Sequence, residues 1–165
     1  MLSVNLQTVH HRPLAAVRRE VAPGAVGSVW KPALDKVWKF IRGQPGLRAG
    51  GHNICLYHHP SEPAAAIVCE FGVEVTRTFD AAGEVHSTET PAGEAAVAVH
   101  HGPYTHLNEA HSAIRKWMTA NRRESAGQSW EIYGDPTPDP ADTQTTVVYL
   151  LKGQGGAEST SVTES

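Results

Sequence analysis

Trp30, Ala33, Leu34, Val37, Trp38 and Ile41 recur at helical spacing, while Lys31, Asp35, Lys36, Lys39 and Arg42 fill the positions between them. The pattern predicts an amphipathic helix that starts near Pro23-Gly24 and is ended by Gly43, Pro45 and Gly46. A second stripe, Leu107, Ala110, Ile114, Trp117 and Met118, predicts a helix with Thr105 as its N-cap that fades before Gly127. Runs rich in β-branched and aromatic residues predict strands at about 4–21, 53–58, 67–79, 85–101, 129–133 and 145–151. The first and fourth runs are long enough to bend or break.

The order strand, helix, strand, strand occurs twice, and individual residues follow it. Val17 maps onto Val97, Leu34 onto Ile114 and Val37 onto Trp117 at a spacing of 80, and Tyr57 onto Tyr133 and Pro60 onto Pro136 at 76. One copy alone would leave its helix on a three-stranded sheet with an open edge, so pairing the copies extends the sheet. The expected fold class is therefore α+β: a tandem pseudo-two-fold β-α-β-β repeat, with two helices on one face of an antiparallel sheet and a ligand groove on the other. One domain is expected over 1–152, with halves at about 4–79 and 85–151, and 153–165 reads as a disordered tail with little to bury.

Apolar residues are 40% of the 165 and charged residues 19%, so the chain carries enough apolar material for a core without disulfide or metal support. The 14 Lys and Arg are scattered among 17 Asp and Glu, which leaves no basic face for phosphates and argues against a nucleic-acid partner. Cys55 and Cys69 form no CxxC motif and suit reduced core thiols. Neither a signal-peptide pattern nor a membrane-length apolar run occurs, so a cytoplasmic location without membrane partners is expected.

Strand side chains alternate, so Trp130 and Ile132 share one face and Glu131 and Tyr133 the other; Ile54 and Leu56 are divided from Cys55 and Tyr57 by the same rule. With Trp130 and Ile132 assigned to the helix side, Glu131, Tyr133, Cys55 and Tyr57 face the side away from the helices. Tyr104, in Gly102-Pro103-Tyr104, adds a third phenol near the midline. One acid among aromatic rings suits an organic cation or a flat polar compound. A buried carboxylate without a partner costs several kcal/mol, so Glu131 in an empty site should be hydrated, bonded to a tyrosine hydroxyl, or raised in pKa. The alternative is that Glu131 and Tyr133 lie on a solvated face. Trp38 and Trp117, on helix stripes, read as core.

Ten histidines invite a metal reading, but the pairs His10-His11, His58-His59 and His100-His101 each point to two faces of a strand, and His106, Glu109 and His111 lack zincin spacing. No metal and no cofactor is expected, and neither a phosphate loop nor Gly-x-Ser-x-Gly is present.

Gly102 and Tyr104 in a turn, Leu107 and Trp117 in a helix, Glu131-x-Tyr133 in a strand and then Asp135-Pro136 resemble the GyrI-like, or AraC-type effector-binding, domain family over about residues 4–151. The resemblance implies a duplicated fold whose strand glutamate and aromatic rings hold lipophilic, often cationic small molecules. It implies a stand-alone sensing or sequestering module with Glu131, Tyr133, Tyr57, Tyr104 and Cys55 as ligand-binding residues, since the two helices leave no segment for a helix-turn-helix. It also implies an alternative, hydrolysis of strained cyclopropane alkylators, with Glu131 as general base and Tyr133 or Tyr104 as electrophilic donor. A gyrase subunit is a third kind of partner to consider, for which a net charge of −3 is a poor match.

Overall fold

The two long β-rich runs each break in two at a proline-bearing junction, Arg12-Pro13 and Thr90-Pro91, where a ladder donor is missing. In the computed structural model, which describes residues 2–60, 62, 65–135 and 137–153, the first run becomes β1 (Val4–Val9) and β2 (Pro13–Val21). The fourth becomes β5 (Val85–Glu89) and β6 (Gly93–His101). The other strands are β3 (Asn53–His58), β4 (Ile67–Glu74), β7 (Ser125–Tyr133) and β8 (Gln144–Leu151). The third predicted run thus ends at Glu74, short of Phe79. Pro136 and most of the expected tail, 154–165, lie outside the described residues.

The first helix, α1 (Val26–Arg42), starts two residues beyond Pro23-Gly24 and ends at Gly43, with Lys39 and Arg42 in its last turn, where cations complement the helix dipole. Thr105 is not the N-cap of the second helix. It sits inside a 3-10 turn, Tyr104–His106, and α2 (Asn108–Ala120) begins after Leu107 without a side-chain cap. Gly102 makes that turn possible: its φ of 121° lies where side chains are disfavoured, and it swings the chain out of β6 toward Tyr104.

All eight strands form one antiparallel sheet in the order β1-β6-β8-β7-β3-β4-β2-β5. The repeated units meet at β7 and β3, and each lends its first strand to the other: β1 pairs with β6, and β5 with β2. This exchange dictates the shape. In a flat sheet β1 and β2, six places apart in that order, would stand about 29 Å from each other, yet the chain from Val9 to Pro13 spans at most about 14 Å. The sheet must curl until the two junctions meet, and they do: Arg12 N donates to Thr90 Oγ1 at 2.9 Å and Thr90 N to the Arg12 carbonyl at 3.0 Å.

Cross-strand register then sorts the side chains. One face carries the row Ala98, Val147, Glu131, Cys55, Phe71, Val17. On it α1 packs Ala33, Leu34, Val37 and Ile41 against Val17, Cys55, Phe71 and Val73. On the same face α2 sets Ala110, Ile114 and Met118 against Ala96, Ala98, Val147 and Tyr149. The other face, which no helix covers, holds Leu14, Ile54, Leu56, Ala95, Val97, Trp130 and Val148 in a cluster enclosed by the curl and the β1–β2 turn.

The side assignment made from parity is therefore reversed. The alternation holds, but Ile54, Leu56, Trp130 and Ile132 face away from the helices, while Cys55, Tyr57, Glu131 and Tyr133 face them. The hollow that Cys55, Tyr57 and Tyr133 line lies on the helix side, between α1 and α2; the opposite face has a cleft of similar volume, about 210 Å³, between the β1–β2 turn and Val97, Trp130, Ile132 and Val148, and none of the expected ligand residues lines it. The reason for the reversal is that the face without helices buries its apolar set by itself: the sheet wraps around it, and Trp130, 2% exposed, is one of its largest buried side chains.

Candidate functional site

Cys55 on β3 and Glu131 on β7 are register partners at the sheet midline, with Tyr57 opposite Ser129 and Asn53 opposite Tyr133. The 76-residue spacing that relates Tyr57 to Tyr133 also relates Cys55 to Glu131, so the pseudo-two-fold passes between the acid and the thiol. The two tyrosines flank that pair from opposite ends, and both phenols reach the one carboxyl group.

Glu131 is 6% exposed and fully engaged. Its Oε1 accepts from the Tyr57 hydroxyl at 2.9 Å and from the Tyr133 hydroxyl, and its Oε2 lies 2.6 Å from His111 Nε2 on α2. Burial alone would push the carboxyl up. The hydrogen bonds donated by His111, Tyr133 and Tyr57 outweigh it and hold Glu131 below its ordinary value. Of the three states expected for an empty site, the carboxyl takes the tyrosine-bonded one, and its pKa moves down and not up. Burial, then the adjacent negative charge that Cys55 and Glu131 would supply, raises both phenols, so Tyr57 and Tyr133 stay protonated donors. Burial likewise pushes Cys55 up to about 12, an inert thiol.

Above this floor lies a cleft of about 210 Å³. Cys55, Tyr57 and Tyr133 line it from the sheet, Trp30 and Leu34 from α1, and Tyr104 and Leu107 from the approach to α2. Trp30 and Tyr104 form the mouth, 41% and 54% exposed, and Tyr104 meets Tyr133 edge to face at 5.6 Å. Four of the five expected ligand residues, Tyr57, Tyr104, Tyr133 and Cys55, thus surround one space. Glu131 does not line it; the acid sits one layer behind the phenols. Trp38, whose Nε1 donates to Asn53 Oδ1 at 2.9 Å, and Trp117, packed on the α2 cluster, stand outside the lining.

Sequence reasoning missed His111, Trp30, Leu34 and Leu107. His111 had a visible signal: with Leu107, Ile114 and Met118 it falls on the sheet-facing stripe of α2, where an imidazole needs a polar partner. Of the histidine pairs, His58-His59 splits as expected, since His58 reaches Glu70 Oε2 at 2.8 Å on the far face while His59 meets Ser129 Oγ at 2.6 Å on the helix face; His10-His11 does not lie on a strand but in the β1–β2 turn. Among the described residues, no three His, Cys, Asp or Glu side chains are placed to hold a metal ion, and no helix is long and apolar enough to cross a membrane.

A family model described as GyrI-like small molecule binding domain matches residues 3–151. The C-terminal domain of EcmrR shares the fold at a TM-score of 0.77 and 19% identity, over 93% of this chain and 99% of that one. In the EcmrR–DNA complex the match spans 58% of the EcmrR chain. SAV2435 bound to tetraphenylphosphonium matches at a TM-score of 0.68 and 10% identity, over 96% and 98% of the two chains. A hydrolase from Listeria innocua matches at 0.55 and 13%, over 90% and 91%. No curated protein sequence matches the chain.

Proposed function

The chain belongs to the GyrI-like small molecule binding domain family, and from that premise we propose that it binds a lipophilic, flat, singly charged organic cation in the cleft between α1 and α2, for sensing or sequestration and without turning it over. The observation that carries this reading is the layering of the site: Trp30, Tyr104, Leu107 and Tyr133 offer an apolar and aromatic wall, and one ionised, buried acid lies just behind it. Ring faces and the carboxylate attract the same sign of charge. A cavity of ~150 Å³ accepts a benzene ring, so about 210 Å³ suits two fused rings with larger groups left at the mouth. A relative of the same fold holds tetraphenylphosphonium, itself a lipophilic cation.

The hydrolase alternative, with Glu131 as base and Tyr133 or Tyr104 as electrophile, asks the carboxylate to take a proton from water. Glu131 is already bonded to three donors and held below its ordinary pKa, which makes it a weak base and supports binding over turnover. Calorimetric titration with 1-methylquinolinium and its uncharged isostere 1-methylnaphthalene, followed by product analysis, tests both. The cation should bind at least tenfold more tightly than the isostere and be recovered unchanged. At a hundred times its Kd it should raise stability by about 2.7 kcal/mol. Equal affinity for the two, or conversion of the bound compound, would overturn the proposal.

A further inference from the structure

His111 joins the acid to a second set of groups. Its Nε2 faces Glu131 Oε2 at 2.6 Å, its Nδ1 lies 2.7 Å from the Tyr149 hydroxyl, and Arg115 Nη1 donates to that same hydroxyl at 3.2 Å. A guanidinium only donates, so the Tyr149 oxygen accepts from Arg115 and has one proton of its own to place. The acceptor within reach of that proton is His111 Nδ1. A second proton on Nδ1 would aim two donors at the Tyr149 oxygen and strand the hydroxyl proton of a buried residue, an arrangement that buried polar groups avoid. With Nδ1 bare, all three protons are used, running in one direction from Arg115 through Tyr149 and His111 to Glu131.

We infer that Tyr149 and Arg115 are positioning residues that hold His111 in its neutral, Nε2-protonated form, which leaves Glu131 as the uncancelled charge at the cleft and makes the site select organic monocations over neutral aromatic compounds. The selectivity half rests on the binding function proposed above. The groups bonded to His111 and to its two partners fit it. Glu131 and Tyr133 come from β7, Tyr57 from β3, Tyr149 from β8 and Arg115 from α2. His59, beyond the end of β3, stacks on Tyr149 at 6.2 Å. Burial, the largest cause, lowers its pKa, so it adds no cation beside His111. The charge of Arg115 itself is set on the outer side of Tyr149, where its helix position is exposed.

Two measurements test this on the whole chain. A long-range ¹H–¹⁵N correlation of the imidazole nitrogens near neutral pH, with His111 assigned by its absence in His111→Gln, should show a protonated Nε2 and a bare Nδ1. An imidazolium, or the opposite tautomer, overturns the inference without any ligand or folding-sensitive variant. In Tyr149→Phe the Nδ1 lone pair loses its donor, so the spectrum should move toward the doubly protonated ring. The preference for 1-methylquinolinium over 1-methylnaphthalene should then fall at least tenfold while the isostere's own affinity stays within about twofold. An unchanged preference in a folded Tyr149→Phe also overturns it. Wild-type protein that binds neither probe would refute the binding function and the selectivity drawn from it, with the tautomer still decided by the spectrum.

Discussion

Glu131→Gln isolates the charge of the site from its shape. The amide can turn its carbonyl to the His111 Nε2–H and its NH2 to the Tyr57 and Tyr133 hydroxyl oxygens, which accept as well as donate, so His111 keeps its tautomer; the fold should survive with stability changed by less than about 2 kcal/mol. A bound cation touching the phenols is held off the carboxylate by one hydrogen bond, 2.9 Å at Tyr57, plus one van der Waals contact, together roughly 6 Å between charges. At an effective dielectric near 20, that separation gives about 3 kcal/mol, or ~100-fold in affinity. Titration of wild type and variant with 1-methylquinolinium should show that loss, while 1-methylnaphthalene, which has no charge to sense, should change by less than about threefold. A cation affinity that falls less than about threefold would mean that the ligand's charge never senses Glu131. Equal, large losses for both probes would mean that the substitution deformed the cleft.

Tyr104→Ala removes the exposed ring at the mouth and its edge contact with Tyr133; affinity for both probes should fall about tenfold while urea stability falls by no more than about 1.5 kcal/mol. Trp130→Ala empties the far face, so unfolding should come about 3–5 kcal/mol sooner in urea, yet the folded fraction should bind within about twofold of wild type, because the cleft is on the other side of the sheet. Because Glu131 is lowered in the folded state, its contribution to stability is present above the ordinary carboxylate pKa and is lost as pH falls through the folded value; in urea titrations the advantage of wild type over Glu131→Gln should therefore be full at neutral pH and shrink as pH is lowered below the ordinary carboxylate range. Burial holds Cys55 up to about 12 and Cys69 up to about 11, so an aromatic disulfide reagent near pH 8 should label neither thiol in the native protein and both after denaturation.

The duplicated unit was legible because hydrophobic spacing and residue identity repeat together: Leu34 and Ile114 both sit on buried helix stripes, and Tyr57 and Tyr133 both end up on the same carboxyl group. Strand exchange was not legible. Nothing in Val4–Val9 or Val85–Glu89 marks the opposite copy as the partner, since an edge strand is specified mainly by what lies across from it, and that is tertiary information. The same exchange hid the groove's true side.

Parity separates two sets of side chains but does not say which set a helix covers. Assigning the more apolar set, Trp130 and Ile132, to the helices assumes that helices are the main source of burial. Here the curl forced by the short β1–β2 and β5–β6 junctions buries the far face without them. The helices, in turn, straddle the midline and do not cover it: α1 packs on β2 and β4 and α2 on β6. The row between them can therefore hold an acid, a thiol and two phenols, with the cleft opening over Cys55, Tyr57 and Tyr133 and the acid behind them. The binding site proposed at the junction of the two copies is in keeping with that division of labour. Each copy closes its own core, and at the seam Tyr57 and Tyr133 pack on one edge of the α1 core while still lining the cleft.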